Sequence, residues 1–492
     1  MKHVLIAILV LMTQLVISQS IFTKNYPSNE NYRAFRVKQD FDENYVISGY
    51  KNVVAENAER PYVFKVSNTG QKLDSAIYFS GMPNDWYIMD VLIDSNYYYF
   101  IGYSGDWSGA GFGPNDSSMF FLKTDYNFNP IDTHFYSVVD NQDVGLSSSK
   151  FDSKGNIITS GYYNTLNGHF GSFINKINKN GTLLNSSFIS LDSNRIFLNL
   201  MIDSNAYYVF SYIFSGVKPR LLYKYDTLLN LIGTFIIPPN AMNFYSPIKF
   251  TNNEYFTSGF TYPNPVVIPP YKKFAIIKST IEGVLLDSLQ FGVVDSTNYP
   301  AFYDALCMQN GYLYFAGSVY NSDNTLPPYG ENHPSNLYIA KVDTNLNIVW
   351  EKLIGGDAYY SALNVIGTSD GGILMMASRN DITDNKNNLD VRLVKLDSNG
   401  NITWTKDIET HNSEIKVYPN PAKNILNIEF SENIKSSNCK IDIYNNFGQV
   451  VLNSSTNTNK TKLDICGLKT GVYVLKIESE EGWTKSKKFI KK

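Results

Sequence analysis

The sequence predicts an all-β protein, a seven-bladed β-propeller of four-stranded blades followed by a small immunoglobulin-like β-sandwich. Two observations predict this fold class. The chain of 492 residues contains 36 Tyr and 30 Phe, and aromatic residues suit the pleated, half-buried surface of a strand. A pattern of about 55 residues also recurs seven times between about residue 30 and residue 409. Because a single hydrophobic core stops growing at roughly 250–300 residues, we expect several packed units.

Each repeat contains one strand that ends near a small residue and a later strand that ends in a Lys. Residues 45–49 and 157–161 are strands of the first kind. The lysines of the second kind are Lys65, Lys123, Lys176, Lys224, Lys278, Lys341 and Lys395. Another strand precedes the small-residue strand, and an apolar strand such as 402–404 closes the repeat. Four antiparallel strands repeated seven times predict the blades of a propeller.

The connection from the second to the third strand of a repeat is long and irregular, whereas the other two turns are short. Alternating strand direction places these long connections on one face of the disc, here called the long-loop face. Long loops on a rigid scaffold commonly carry recognition. Their aromatic side chains are therefore the candidate binding residues: Trp107, Phe112, Tyr262, Tyr271 and Tyr329. A plain drift in loop length would give the same pattern, and the sequence leaves both interpretations open.

The N-terminal segment predicts export. Lys2 precedes an apolar run at 4–12, which is too short to span a bilayer, and small residues follow at 18–20. We expect residues 1–20 to be a signal peptide cleaved after Ser18 or Ser20. No later stretch reaches 18 apolar residues, so we expect no transmembrane segment in the mature protein. The propeller is predicted at 21–410 and a linker at 411–413.

The last predicted domain, residues 414–492, contains short strands with period-two alternation. Three motifs stand out in it: an opening of Tyr418, Pro419, Asn420 and Pro421, a hairpin around Gly448, and a segment with Gly467, Gly471 and Tyr473. In their order and spacing these motifs closely resemble the type A sorting domain of type IX secretion cargo from Bacteroidetes-type bacteria. The resemblance covers about a sixth of the chain.

This resemblance implies two partners, the type IX translocon and a sortase-like peptidase that removes the domain after Sec export. It also implies a final location in the medium or on the outer cell surface. The signal peptide and the sorting domain would both be discarded, which leaves the propeller as the mature product. Two Cys of this domain, Cys439 and Cys466, could form a disulfide, but we expect two buried free thiols.

A search for catalytic and metal-binding patterns predicts no catalytic residue, metal site or cofactor. The Gly-x-Ser-x-Gly match at 367–371 falls in a strand-to-strand turn, whereas a hydrolase elbow needs a strand-to-helix turn. Residues 125–129 space oxygen atoms as calcium loops do but lack the Gly and the distal Glu, so local capping explains them better. With a net charge of −3, the chain has no basic field for nucleic acid.

The leading functional hypothesis is a binding module for an extracellular polymer, glycan or protein. The alternative is a secreted glycan-active hydrolase or lyase on the same scaffold. That alternative needs a pair of carboxylates on the long-loop face, and the candidates are Asp106, Asp116, Asp381, Asp384 and Asp390. A purely structural role at the cell surface is the third hypothesis.

Overall fold

The structure is a computed structural model. The chain forms two compact units, residues 1–404 and 405–492. The structure describes residues 19–27, 32–105, 118–137, 144–164, 170–190, 195–213, 220–237, 242–261, 272–294, 296–320, 334–381, 389–402, 415–430, 439–445, 449–479 and 484–492. No helix within these ranges is long and apolar enough to span a bilayer.

The described residues of the first unit form seven antiparallel sheets, numbered here in chain order. Sheets one to three contain β2 (Tyr32–Gln39), β3 (Tyr45–Val53), β4 (Ala58–Val66) and β5 (Lys72–Ile77); β6 (Asp85–Ile93), β7 (Tyr98–Gly105), β8 (Met119–Thr124) and β9 (Pro130–Tyr136); β10 (Val144–Phe151), β11 (Ile157–Asn164), β12 (Phe170–Ile177) and β13 (Leu183–Ser190). A short 3-10 helix, Val54–Glu56, joins β3 to β4.

Sheets four to six follow the same pattern, and the sixth has its first strand split in two. They contain β14 (Arg195–Ile202), β15 (Ala206–Ile213), β16 (Leu221–Asp226) and β17 (Leu231–Ile236); β18 (Met242–Lys249), β19 (Glu254–Thr261), β20 (Lys273–Thr280) and β21 (Leu285–Phe291); β22 (Thr297–Pro300), β23 (Leu306–Gln309), β24 (Tyr312–Tyr320), β25 (Ser335–Val342) and β26 (Ile348–Gly355). The predicted all-β class and the four-stranded antiparallel sheets are confirmed.

The seventh sheet departs from the predicted pattern. It contains β27 (Tyr359–Gly367), β28 (Ile373–Asn380) and β29 (Leu389–Leu396), and its fourth position is taken by β1 (Phe22–Tyr26). Antiparallel pairing runs from Phe22 opposite Lys395 to Tyr26 opposite Val391. The predicted closing strand at 402–404 is wrong where the structure describes it, because residue 402 lies outside any strand. Residues 403–404 lie outside the described residues.

The small residue predicted near the end of each second strand lies inside that strand in sheets one to three, and a bulge in the first strand opposite it explains it. The register shifts between Ala34 and Arg36 in β2, and β6 and β10 shift at equivalent places. A Cβ atom added to Gly49 would lie 1.9 Å from the carbonyl oxygen of Arg33, and one added to Gly102 would lie 1.9 Å from that of Tyr87. Glycine is therefore required because the bulged backbone approaches the second strand too closely for a side chain.

Three of the repeat lysines connect neighbouring sheets. Lys65 donates from Nζ to the carbonyl oxygen of Tyr126 in the next sheet. Lys176 donates to the carbonyl oxygen of Thr227 at 3.0 Å, and Lys341 donates to that of Ser398 at 3.1 Å. All three acceptors lie in turns just after the third strand of the following sheet. These three lysines thus form hydrogen bonds between consecutive sheets, whereas Lys278 and Lys395 pair with carboxylates of their own sheets, Glu254 and Asp370.

Those turns are capped by their own side chains. One carboxylate oxygen of Asp125 accepts hydrogen bonds from the backbone N–H groups of Asn127 and Asn129, both at 2.9 Å. Asp343 caps its turn in the same way. The other Asp125 oxygen accepts from the side-chain amide of Asn129 at 2.9 Å, so both are engaged within the turn, as the capping interpretation of residues 125–129 predicts.

The second unit is a sandwich of two sheets. One contains β30 (Ile415–Tyr418), β31 (Ile425–Phe430) and β34 (Lys460–Asp464), and the other contains β33 (Val450–Thr456), β32 (Cys439–Tyr444), β35 (Gly471–Ser479) and β36 (Thr484–Lys491). Leu426 and Ile428 of one sheet pack with Ile441 and Leu475 of the other in a common core.

Both cysteines of the second unit are free thiols. Cys439 is buried at the start of β32, as expected, and belongs to the core of the sandwich. Cys466 is exposed, so the expectation of burial is wrong for that residue. It lies in the turn after β34, which presents its side chain to solvent.

Candidate functional site

The predicted binding residues of the long-loop face lie outside the described residues. These are Trp107, Phe112, Tyr262, Tyr271 and Tyr329, each within a second-to-third-strand connection. Their role in binding therefore stays a prediction.

The strand ends that border one of these connections are described, and they form an ionic group. The buried guanidinium of Arg379, at the end of β28, lies 3.5 Å from a carboxylate oxygen of Asp381, 3.6 Å from Asp357 and 3.9 Å from Asp390. The hydroxyl of Tyr360 accepts a hydrogen bond from Nε of Arg379 at 3.4 Å. Two of the five candidate carboxylates thus gather around one cation. Asp106, Asp116 and Asp384 lie outside the described residues.

A second ionic group lies where the first strands of several sheets meet, and no sequence motif indicated it. This group, called here the charge cluster, consists of Arg36, Lys38, Asp90, Lys150 and Asp304. Arg36 and Lys38 lie on β2, Asp90 lies on β6 and Lys150 lies on β10. Asp304 lies in the segment that splits the first strand of the sixth sheet. Four different sheets therefore contribute charges to one place.

Arg36 is the most buried member of the charge cluster together with Asp90, with side chains 4% and 5% exposed. Its Nε lies 3.6 Å from Asp90 and 4.0 Å from Asp304. One terminal nitrogen donates to the carbonyl oxygen of Ser147 at 3.1 Å. The guanidinium also lies over the ring of Tyr303, 4.4 Å from its centroid. These contacts hold the Arg36 guanidinium in place at the buried end of the cluster.

Asp304 and the two lysines form the more accessible part of the charge cluster. The ammonium of Lys38 lies 3.8 Å from Asp304, with side chains 32% and 23% exposed respectively. Burial alone would raise the pKa of Asp304, but the charges of Lys38, Arg36 and Lys150 hold it below its usual value. Burial lowers the pKa of the Lys150 ammonium, and the attraction of Asp304 opposes that shift.

Two further side chains border the cluster. Asn364 on β27 is fully buried, and neither its Nδ2 nor its Oδ1 has a hydrogen-bond partner among the residues that the structure describes. An isolated parallel bridge pairs Asn364 with Asp304, which places both side chains on the same side of the backbone. The second is Cys307, whose thiol pKa is raised to about 12, chiefly by burial and also by Asp304.

In the second unit, the opening motif attaches the start of the sandwich to its last strand. The Asn420 side-chain oxygen accepts from the backbone N–H of Ile490 at 2.9 Å, and the hydroxyl of Tyr418 donates to Glu429 at 3.0 Å. The peptide bonds before Pro419 and Pro421 are both cis. The motif therefore organises the contact between its own turn and β36.

The other motifs differ in what the structure says of them. Gly448 lies outside the described residues. Gly467 has open space around its Cα, and Gly471 begins β35. The Tyr473 hydroxyl donates to the carbonyl oxygen of Lys469 at 2.7 Å, and its ring stacks on Phe489 at 5.7 Å. Tyr473 thus fastens the turn before β35 to the core.

The four-stranded sheet of the second unit exposes apolar side chains on the side away from the core. Val472 pairs with Ile490, and Tyr444 pairs with both Val450 and Val474. The four aliphatic residues are between 41% and 51% exposed. A solvated sheet face is ordinarily polar, so these five residues, called here the apolar face, stand out as a contact surface. Sequence reasoning missed it, although the uninterrupted apolar run at 472–475 could have indicated it.

Comparisons with known families bear on the second unit alone. Residues 416–492 match the family of the secretion system C-terminal sorting domain. This match supports the predicted resemblance and export by the type IX system. A search among curated proteins found no match.

Comparison with solved structures finds proteins that align with about four fifths of this chain but share only about 10% sequence identity with it. An apocarotenoid oxygenase variant from Synechocystis has 9% identity and a TM-score of 0.39, covering 78% of this chain and 95% of that one. A subtype N10 neuraminidase-like protein of the isolate A/little yellow-shouldered bat/Guatemala/060/2010 has 10% identity and a TM-score of 0.38, covering 77% of this chain and 95% of that one. The acylaminoacyl peptidase of Pyrococcus horikoshii has 10% and 0.41, covering 82% and 58%. At these values the likenesses carry no argument about activity.

Proposed function

We propose that the chain is type IX secretion cargo whose first unit is a seven-bladed β-propeller that binds an extracellular polymer, glycan or protein. The match of residues 416–492 to the sorting-domain family carries the export part of this proposal. In this scheme Sec export comes first, and the translocon then recognises the second unit. A sortase-like peptidase removes that unit, and the propeller remains at the cell surface or in the medium.

The contacts among the seven sheets support a closed ring. The first strand of each sheet contacts the sheet before it in chain order, from β6 against β2–β4 to β27 against β24 and β25. β2 in turn contacts β27, β28 and β29, which links the first sheet to the last. The charge cluster joins sheets one, two, three and six, as first strands around a common axis would do. Determination of the structure at high resolution tests the ring, and an open arrangement of sheets would refute it.

Contacts of the N-terminal residues support cleavage after Ser18. The side-chain amide of Gln19 donates to the carbonyl oxygen of Asp370 at 2.9 Å and accepts from the N–H of Ser398 at 2.8 Å. The backbone N–H of Ser20 donates to the Asp370 carboxylate at 3.0 Å. Cleavage after Ser20 would remove all three bonds from the seventh sheet. N-terminal sequencing of the exported protein should begin at Gln19, and a start at Ile21 would overturn this choice.

The apolar face supports docking of the second unit on the translocon. Residues 416–492 contain 13 Lys and 7 Asp or Glu, a net charge of +6. A partner surface with apolar side chains rimmed by carboxylates would complement both properties. Deletion of 416–492 should retain the protein in the periplasm of the native host. Normal appearance of the shortened chain outside the cell would refute the export proposal.

The lengths of the second-to-third-strand connections support a binding role. Loop closure entropy grows slowly with length, so long loops cost little and are retained where recognition uses them. Replacement of Trp107 and Tyr329 by Ala should abolish retention on the polymer or glycan that the exported protein binds best in an array. The change Trp350→Ala, in the fourth strand of the sixth sheet, is a control away from those loops. Equal retention by all forms would refute the role of the long-loop face.

A further inference from the structure

We propose that the charge cluster of the first unit binds a small anion through a carboxylate or phosphate group, held by Lys150, Lys38 and Asn364. The site is distinct from the long-loop residues and from the sorting domain, so it adds a ligand to the proposed function. It would lie where the first strands of the sheets converge.

The balance of charge in the cluster favours an anion. Three cations, Arg36, Lys38 and Lys150, face two carboxylates, Asp90 and Asp304. Arg36 uses both carboxylates, and Lys38 uses Asp304. Within the described part of the chain, Lys150 has neither an ion pair nor a hydrogen bond from its ammonium. An anion beside Lys150 would neutralise the remaining positive charge in a region of low dielectric constant, where unpaired charge is costly.

Asn364 supplies an independent indication. A fully buried amide without any partner is rare in a folded protein, since its donor and acceptor both lose their contacts with water. The bridge to Asp304 turns Asn364 toward the side on which Lys38 and Lys150 act on that carboxylate. Its Nδ2 can donate to an anionic oxygen, and its Oδ1 can accept from an ammonium. The same ligand would therefore satisfy Lys150 and Asn364 together.

The graded exposure of the cluster gives such a ligand a way in. Arg36 and Asp90 are nearly inaccessible, whereas Asp304 is 23% and Lys38 32% exposed. Lys150 is half-buried. A small ion can thus reach the lysines while the Arg36–Asp90 pair stays closed beneath them. A metal is not favoured here, because no group of three or more His, Cys, Asp or Glu among the described residues is arranged to hold one.

Calorimetric titration of the purified full chain with inorganic phosphate, and separately with acetate at the same ionic strength, tests the proposal. Saturable binding of at least one is expected, and the preferred ion identifies a phosphate or a carboxylate ligand. Lys150→Gln should weaken binding by about tenfold or more. Lys154→Gln is the matched control, because Lys154 is exposed in the turn after the same strand. It should bind as the unchanged protein does.

Thermal unfolding separates binding from a structural role. Without added anion, Lys150→Gln should melt at the same temperature as the unchanged chain or higher, since it removes an unpaired cation. Phosphate or acetate should then raise the melting temperature of the unchanged chain only. Asn364→Leu provides a second variant, in which the unpartnered amide is gone and binding should again be weakened. Failure of both anions to bind the unchanged chain, or equal binding by Lys150→Gln, would overturn the proposal.

Discussion

Lysine and glycine residues have different structural roles in the two units of the chain. In the first unit, the ammonium of Lys176 lies 3.3 Å from Asp152, with side chains only 11% and 3% exposed. In the second unit, Lys440 lies 2.8 Å from Asp442, yet its side chain is 57% exposed. The first lysine joins sheets, whereas the second remains on the surface. Burial rather than distance separates the two pairs.

Glycine shows the same contrast. Gly102 is enclosed by the Tyr87 carbonyl and the Phe120 ring, while Gly467 has nothing within 4 Å of a Cβ added to it. Charge follows the division, since residues 416–492 carry +6 and the other residues carry −9. The repeated lysines and glycines of the first unit therefore serve the packing within and between its sheets. The lysine and glycine compared with them in the second unit stay exposed and accessible to a partner.

The largest expected effect comes from filling the space at Gly102. Gly102→Val should destabilise the first unit by at least about 4 kcal/mol, because backbone atoms 1.9 Å from the new Cβ cannot move aside cheaply. Gly467→Ala in the second unit is the control and should change nothing. Urea denaturation measures both. Equal, small effects of the two changes would break the contrast between the units.

A smaller loss is expected from the buried ion pair. Lys176→Gln leaves Asp152 without its cation and Thr227 without its donor, which should cost about 3 kcal/mol. Lys440→Gln removes an exposed pair and should leave the unfolding midpoint unchanged. A midpoint that falls equally in both variants would show that burial does not separate these lysines.

Lys272 should give a gain in stability that depends on pH. Burial lowers the pKa of this side chain to about 8, compared with about 10.4 for an unfolded lysine. The cost of burying the charged form is therefore fully present below about pH 8 and disappears as the pH rises past 10. Lys272→Met should add about 1–2 kcal/mol at pH 7 and nothing at pH 10.5. Stability curves at both pH values measure this, and a gain that does not change with pH would contradict the explanation.

The smallest effect on stability should accompany the largest effect on export. Val472→Thr combined with Val474→Thr keeps strand propensity and should change stability by less than about 0.5 kcal/mol. Export should nevertheless fall strongly if the apolar face docks on the translocon. Ile425→Thr, at a 49% exposed position on the other sheet, is the control. Export of the double variant at the level of this control would remove the apolar face from the docking proposal, while the deletion of 416–492 still tests the sorting role.

Much of the first unit could be predicted because its repeated residues have repeated causes. The bulge of the first strand forces a small residue such as Gly49, and the turn after the third strand of the next sheet gives Lys65 a carbonyl acceptor. Both contacts recur in several sheets and so leave a mark in the sequence. The charge cluster left a weaker one: Arg36 precedes Gly49 by 13 residues, and Asp90 precedes Gly102 by 12. Alignment of the repeats on their small residues would have placed these two charged residues at nearly the same position of the repeat.

The remainder depends on contacts that no local pattern records. In the sequence, nothing distinguishes the five residues of β1 from other short segments. Its partner strand β29 lies more than 360 residues further along the chain. Neither this pairing nor the position of residue 402 outside any strand follows from spacing. Asp304 joins the cluster only because the first strand of the sixth sheet is interrupted, which is a departure from the repeat.

The pairing of β1 with β29 has a consequence for the order of folding. The first strand to leave the ribosome is the last to find its partner, because Phe22 lies opposite Lys395. Until residues 389–396 have been synthesised, β1 lacks its partner strand in the seventh sheet and stays unpaired. Closing so long a loop costs little more than closing one half its length, about 0.6 kcal/mol, but contacts so distant in sequence form slowly. The seventh sheet is therefore completed only after most of the first unit has been synthesised.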